Sequence, residues 1–150
     1  MKKFNYFVCS LLVFATFALL LLTGCGSALR LNGGALEFDG KSVNIQTCAI
    51  TRGAASSKLT VIEGEHCAEV TEFFKNAEFE AVEEDFKNTE TAEILLNATC
   101  AESVTLTVYV CADGSAFASV KDGEKLLNFI TPQSTVDYGA LKIFIDNYHD

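Results

Sequence analysis

Residues 103–130 read SVTLTVYVCADGSAFASVKDGEKLLNFI, and this stretch carries the clearest structural pattern of the chain. In its first part aliphatic residues alternate with polar or aromatic ones, and a period of two predicts a half-buried β-strand. The aliphatic positions are Val104, Leu106, Val108 and Val110. Asp113-Gly114 predicts a turn, residues 116–120 a returning strand, and the turn sequence at 121–124 leads to a third strand over 125–130. The stretch therefore predicts an antiparallel meander.

Further strands are predicted on the N-terminal side of the meander. Residues 35–50 are predicted as strand with a turn at Asp39-Gly40, and residues 58–62 as a short returning strand. After the turn, one regular alternation is predicted, with Cys48 on the more polar side and the opposite side formed by Val43, Ile45, Thr47 and Ala49. Residues 78–90 predict a strand followed by an exposed loop, and residues 91–96 a strand or a short helix.

Two helices complete the predicted elements. The first is predicted over residues 65–77, where apolar residues recur at helical spacing. The second is predicted to begin near Ser134, because Ser134 and Asp137 resemble a capping box. Its predicted buried stripe is Val136, Ala140, Leu141, Phe144, Ile145 and Tyr148. The predicted fold class is α+β: an antiparallel β-sheet, in part a meander, with two helices packed on one face.

The N-terminus has the layout of an export signal. Lys2 and Lys3 precede an apolar run over residues 4–22, and small residues follow it. A positive start, an apolar core and a small-residue cleavage site predict a secretory signal peptide over residues 1–24. An uncleaved membrane anchor or ordinary signal cleavage are the alternatives.

The end of this leader, Leu22-Thr23-Gly24-Cys25, resembles the lipobox of bacterial lipoproteins. The resemblance implies that Cys25 receives a diacylglyceryl group and becomes the first residue of the mature protein. It places the protein on the extracytoplasmic side of the cell membrane, or on the outer membrane of a two-membrane cell. Residues 25–34 are then the lipidated cysteine and a tether, and residues 35–150 one α+β domain. Asn32-Gly33 can instead form the turn of a hairpin.

The charge of the mature chain restricts its partners. Loss of Lys2 and Lys3 with the leader leaves nine basic and 20 acidic residues, a net charge of −11. Such a chain is unsuited to nucleic acid or to an anionic membrane face. The predicted partners are the membrane, through the lipid, and a protein or small ligand of unspecified identity.

Four cysteines remain in the mature domain: Cys48, Cys67, Cys100 and Cys111. An even number in an oxidising compartment predicts two disulfides, and four cysteines allow three pairings. One of these joins Cys48 to Cys111 and Cys67 to Cys100. The spacings do not resemble a zinc motif, and no metal or cofactor is predicted.

The remaining candidate sites are few. His66 adjoins Cys67, but neighbouring helical residues do not face each other, which argues against a thiol–imidazole pair. The acidic segment can gather calcium but lacks the EF-hand spacing; its acids are Glu78, Glu80, Glu83, Glu84 and Asp85. Thr105, Thr107 and Tyr109 form a candidate binding surface on the exposed sheet face, or an ordinary cross-strand surface.

Three functions remain open on these residues. The favoured one is a non-enzymatic binding or interaction module of the bacterial envelope, because catalytic residue types at useful spacings are scarce. The second is a small envelope enzyme that uses His66 or the acidic segment. The third is a structural subunit of an envelope complex, which predicts a large exposed apolar patch.

Overall fold

The computed structural model describes residues 28–53, 58–83, 91–132 and 135–148. The predicted leader, the lipobox and Cys25 lie outside these residues, as do Ser134 of the predicted capping box and Glu84 and Asp85 of the acidic segment. Within the described ranges, no helix combines the length and apolarity that a membrane span requires.

The described residues form nine β-strands and two α-helices, which confirms the α+β prediction. The strands are β1 (Arg30–Asn32), β2 (Ala35–Phe38), β3 (Lys41–Arg52), β4 (Leu59–Glu63), β5 (Glu80–Val82), β6 (Ala92–Cys100), β7 (Thr105–Cys111), β8 (Ala116–Asp122) and β9 (Lys125–Thr131). The helices are α1 (Cys67–Glu72) and α2 (Tyr138–Asn147), and short 3-10 turns occur at Gly64–His66 and Ala101–Ser103.

All strands belong to one antiparallel sheet in the order β1-β2-β3-β6-β7-β8-β9-β5. Strand β3 is long enough to pair with β2 near its start and with β4 further along. Leu29, just before β1, forms an antiparallel bridge with Phe79, just before β5. Because these residues lie at opposite ends of the strand order, the sheet is strongly curled, with a concave inner and a convex outer face.

The predicted meander is confirmed as β7, β8 and β9. Its central inward residues are fully buried and align across strands: Val108 pairs with Ala118, and Ala118 with Phe129. Alternation along each strand therefore divides the sheet into an apolar inner face, which forms the core, and a more polar outer face.

The single alternation predicted for β3 is wrong beyond Ile45. The pairing of β3 with β6 shifts between Ile45 and Thr47, as at a β-bulge. An extra residue on one strand reverses which side chains face inward. Val43 and Ile45 point inward before the shift, and Cys48 and Ile50 do so after it. Cys48 consequently lies in the core.

Part of the predicted tether is folded. The hairpin alternative is correct: β1 and β2 are joined by a turn at Gly33 and Gly34, both with positive φ. Leu29 and Leu31 are buried in the core, and the Ile45 N–H donates to the Gly34 carbonyl at 2.8 Å. The domain therefore includes residues from at least Leu29 onwards.

Both helices cover the inner face but are shorter than predicted. Helix α1 ends at Glu72 and turns follow it, although Phe74 remains fully buried. Helix α2 begins at Tyr138 rather than near residue 134, because the Asp137 carboxylate caps it by accepting from the Ala140 N–H at 3.0 Å. Leu141 and Ile145 form the buried apolar face of α2.

Candidate functional site

The outer face of the sheet holds the predicted binding surface. Thr105, Thr107 and Tyr109 project from β7 on the side opposite its buried residues; Thr105 is exposed and the other two are half-buried. The structure thus brings the three together on one surface. Their part in binding stays a prediction.

An apolar row crosses this face. Tyr109 pairs with Leu95 of β6 on one side and with Phe117 of β8 on the other. Phe117 in turn pairs with Ile130 of β9. On the other side Leu95 pairs with Thr51, which pairs with Leu59 of β4. The apolar row is therefore Leu59, Leu95, Tyr109, Phe117 and Ile130, interrupted once by Thr51. It spans six strands, about 24 Å at ordinary strand spacing.

A polar row runs parallel to the apolar row and is displaced from it by two residues along each strand. Its central members are Asn97, Thr107, Ser119 and Asn128. The Thr107 hydroxyl donates to the Asn97 side-chain oxygen at 3.0 Å, and the Ser119 hydroxyl donates to that of Asn128 at 2.8 Å. These bonds hold the amide side chains in a defined arrangement next to the apolar row.

Exposed apolar side chains are concentrated on the outer face. Five large ones are exposed in the described part of the chain, and four of them are Leu59, Val61, Leu126 and Ile130 of strands β4 and β9. Alternation places all four on the outer face. The fifth, Ile143, lies on α2. A concentration of this kind is typical of an interaction surface.

His66 and Cys67 do not form a reactive pair. The His66 ring is exposed, and its Nδ1 lies 2.8 Å from the Glu69 carboxylate, which raises the pKa of His66. The Cys67 thiol is buried and donates to the Ile62 carbonyl oxygen at 3.4 Å. Because the two side chains occupy different environments, the imidazole does not face the thiol.

The acidic segment does not assemble a cation site in the described residues. Glu80 lies in β5, with Glu78 before it and Glu83 after it. No group of three or more histidine, cysteine or acidic side chains among the described residues is placed to hold a metal ion.

A groove of about 850 Å³ lies between the β1–β2 hairpin and residues 74–80. Its charged lining residues are Arg30, Glu37, Lys75, Glu78 and Glu80. The described lining contains no serine, threonine, cysteine, histidine or tyrosine, so it offers no hydroxyl or thiol nucleophile and no imidazole to activate one.

Three of the four cysteines meet in the core. Cys48, Cys67 and Cys100 are buried free thiols, and we call them the thiol cluster. The Cys67 sulfur lies 3.4 Å from the carbonyl oxygen of Ile62, which is the cross-strand partner of Cys48. Burial raises the pKa of Cys67, and it raises that of Cys100 to about 11. Burial therefore favours the neutral thiol over the thiolate at these cysteines.

The predicted pairing of Cys48 with Cys111 is wrong. Cys48 pairs with Ala98 of β6, which pairs with Leu106 of β7, and Cys111 is five residues further along β7. Two strand spacings and five residues separate the Cα atoms by about 19 Å. A disulfide requires less than about 7 Å. The Cys111 sulfur instead lies 3.7 Å from the Thr91 hydroxyl.

The apolar row could not be predicted from the sequence, because it depends on pairing between strands that are distant in sequence. The alternation within β7 could locate Tyr109 on an outer face, but only the register places Leu59 and Ile130 in line with it. The outer face and the thiol cluster are the two features from which a function is argued. No protein-family model, no curated protein and no solved structure matches the chain.

Proposed function

We propose that the protein is a lipid-anchored binding module of the bacterial envelope, attached through Cys25, whose outer sheet face binds a partner protein. The lipobox-like sequence over residues 22–25 supports the attachment. The apolar row, whose end members Leu59 and Ile130 are exposed among the described residues, is the observation that carries the binding role.

The shape of the outer face favours a macromolecular partner. A small ligand is normally enclosed in a cleft that buries most of its surface. A convex face offers no such enclosure, whereas a broad partner surface can lie against it. Burial of its apolar area contributes roughly 25 cal/mol per Å² before the cost of association is subtracted. The aliphatic members of the row suit a protein contact better than a sugar, which needs more polar partners.

Charge indicates the chemistry of the partner. At a net charge of −11, two copies of the mature chain repel each other, so a second copy is disfavoured. Glu63 and Glu80 lie on the rim of the outer face, at the ends of β4 and β5, and the exposed Lys121 pairs with Thr105 and Leu126 on the same face. The complementary partner carries an apolar contact surrounded by lysine or arginine.

The folded N-terminal hairpin restricts where the partner is located. With a lipid on Cys25, only residues 26–28 separate the anchor from Leu29 of the sheet. Extended chain spans about 3.3 Å per residue, so the domain lies within about 13 Å of the membrane surface. The partner is therefore a membrane protein or a membrane-proximal part of an envelope complex.

Site-specific photocrosslinking in the cells that produce the protein tests this proposal. A photoreactive amino acid is placed at Leu59 on the outer face or, as the matched control, at Ile143 on α2; the two side chains are 57% and 63% exposed. We expect a discrete adduct with a basic membrane-proximal protein from position 59 only. Ile130→Ser, at the other end of the row, should weaken that adduct.

Four outcomes contradict the proposal. They are equal adducts from both positions, no adduct from position 59, an adduct of twice the chain mass, and an adduct with a polysaccharide. The third would indicate a second copy of the chain, and the fourth a glycan-binding face.

A further inference from the structure

The thiol cluster lies where three elements meet. Cys48 is in the middle of β3, Cys100 is the last residue of β6, and Cys67 is the first residue of α1. All three are at most 2% exposed. Cys67 is therefore placed by the helix that covers the sheet, whereas the other two belong to the sheet itself.

The geometry separates the possible pairs. The Cys67 sulfur lies 3.4 Å from the carbonyl oxygen of Ile62 in β4, and Ile62 is the cross-strand partner of Cys48. Cys100 belongs to β6, which lies on the other side of β3 from β4. Cys48 and Cys100 lie on adjacent strands in diagonal positions, since Cys48 pairs with Ala98. Diagonal neighbours have Cβ atoms about 7 Å apart, whereas a disulfide requires about 4 Å. Direct bridging of these two would require the strands to shift.

Cys111 is too distant from every member of the thiol cluster. Its strand partner is Ala92, at the opposite end of β6 from Cys100. Eight residues of extended strand separate these two ends by about 26 Å. Cys111 thus has no partner for a disulfide within the same described domain.

We propose that the protein forms one intramolecular disulfide, between Cys48 and Cys67, which attaches the start of α1 to the centre of the sheet, and that Cys100 and Cys111 remain thiols. This inference rests on the proposed extracytoplasmic location, because that location provides the oxidising environment in which a disulfide forms. The choice of the pair rests only on the fold.

The oxidation is a thiol–disulfide exchange with a disulfide-bearing oxidant. The thiolate of one cysteine attacks a sulfur of the oxidant, forming a mixed disulfide and releasing the first thiolate of the oxidant. The thiolate of the other cysteine then attacks the protein sulfur of that mixed disulfide and releases the second. Two electrons pass to the oxidant, which becomes a dithiol by taking up the two protons that the cysteines lose.

Burial determines when this exchange occurs. The reactive species is the thiolate, and burial raises the pKa of both Cys48 and Cys67. Neither sulfur is accessible to an external oxidant or reductant in the folded domain. The bond therefore forms before the core closes, and once formed it is protected from reductants until the domain unfolds.

Peptide mapping of the full chain tests the assignment. Protein extracted from membranes in detergent is denatured, alkylated and digested without reduction. A second sample is reduced, denatured and refolded with glutathione disulfide, then mapped in the same way. We expect a linked peptide pair containing Cys48 and Cys67 in both samples, with alkylated Cys100 and Cys111.

Matched variants identify the bridge independently. Cys111→Ala and Cys100→Ala should keep the linked pair, whereas Cys67→Ala should leave three alkylatable thiols. A disulfide that includes Cys111, or one that persists in Cys67→Ala, overturns the assignment. If a variant does not fold, the peptide map of the unsubstituted chain decides between the pairings. If Cys48 and Cys67 are linked in the refolded sample but are free thiols in the membrane extract, the proposed extracytoplasmic location is refuted, whereas the choice of Cys48 and Cys67 as the pair still holds.

Discussion

Replacing Thr71 by valine removes the hydroxyl group that joins α1 to the turn between β1 and β2. Thr71 is fully buried, and its Oγ1 accepts a hydrogen bond from the Gly34 N–H at 3.0 Å and donates to the Ala68 carbonyl at 2.8 Å. Gly34 has φ +78°, and a Cβ there would contact the Ala68 backbone at 3.4 Å. The hairpin thus depends on α1 for both a hydrogen bond and close packing.

The magnitude follows from this geometry. Valine has nearly the same shape as threonine, so Thr71→Val leaves no cavity, but the Gly34 N–H loses its acceptor. A buried donor without a partner costs about 1–3 kcal/mol, and because Gly34 is only half-buried the lower end of this range applies. We expect the free energy of unfolding to fall by about this amount. Thr71→Ser, the control, keeps the acceptor and loses one methyl group, which costs roughly 0.8 kcal/mol of burial.

Urea unfolding and amide hydrogen exchange together test this prediction in a chain that starts at residue 26. Thr71→Val should accelerate exchange of the Gly34 amide, whereas Thr71→Ser should leave that amide protected. Unchanged exchange and unchanged stability in Thr71→Val would refute the conclusion that the hairpin is fixed to α1. The region before residue 35 would then behave as a tether.

Three further predictions concern the charged surface and the core. Glu69→Gln should return the raised pKa of His66 towards its ordinary value of about 6.5, as followed by NMR of the ring protons. The ion pair of His66 with Glu69 stabilises the fold fully at pH values below the ordinary histidine pKa, and this stabilisation is lost as pH rises through the raised pKa of His66 in the folded state. Glu69→Gln should therefore lower the melting temperature only at acidic pH. Phe129→Ala, at a fully buried position, should reduce the free energy of unfolding by about 3–5 kcal/mol in urea. Asp39→Asn removes the ion pair with Lys125, and its small effect on the urea midpoint should disappear in 1 M NaCl, because salt screens exposed pairs.

Local patterns predicted the elements whose side chains alternate without interruption. The meander is the clearest case: Val104 to Val110 alternate with polar residues, and both following turns contain Asp-Gly. A strand with one buried face has to alternate in this way, so the pattern reports directly on the structure.

Elements that depend on long-range pairing were not predictable in the same way. The shift after Ile45 in β3 is set by pairing with β6, and nothing in the local sequence marks it. It moves Cys48 from the expected polar side into the core and changes which cysteines can pair. The shorter α1 has a related cause, since Phe73 and Phe74 are held by packing rather than by a helix that continues through them.

The candidate site was predictable only in part. The alternation of β7 identified Tyr109 and its threonine neighbours as an outer surface. The rest of the apolar row comes from β4, β6, β8 and β9, whose order and register determine that Leu59, Leu95 and Phe117 share one line with Tyr109. Pairing of this kind depends on contacts between strands that are far apart in the chain.

Lipid attachment at Cys25 is the claim on which the location, the partner and the oxidised thiols all depend. Intact-mass spectrometry of the protein extracted from membranes in detergent measures it directly. We expect a chain that begins at Cys25 and is heavier than its sequence by a diacylglyceryl group, with any further acylation added to that. A chain that begins at Met1, or at any other residue with an unmodified Cys25, would contradict the account.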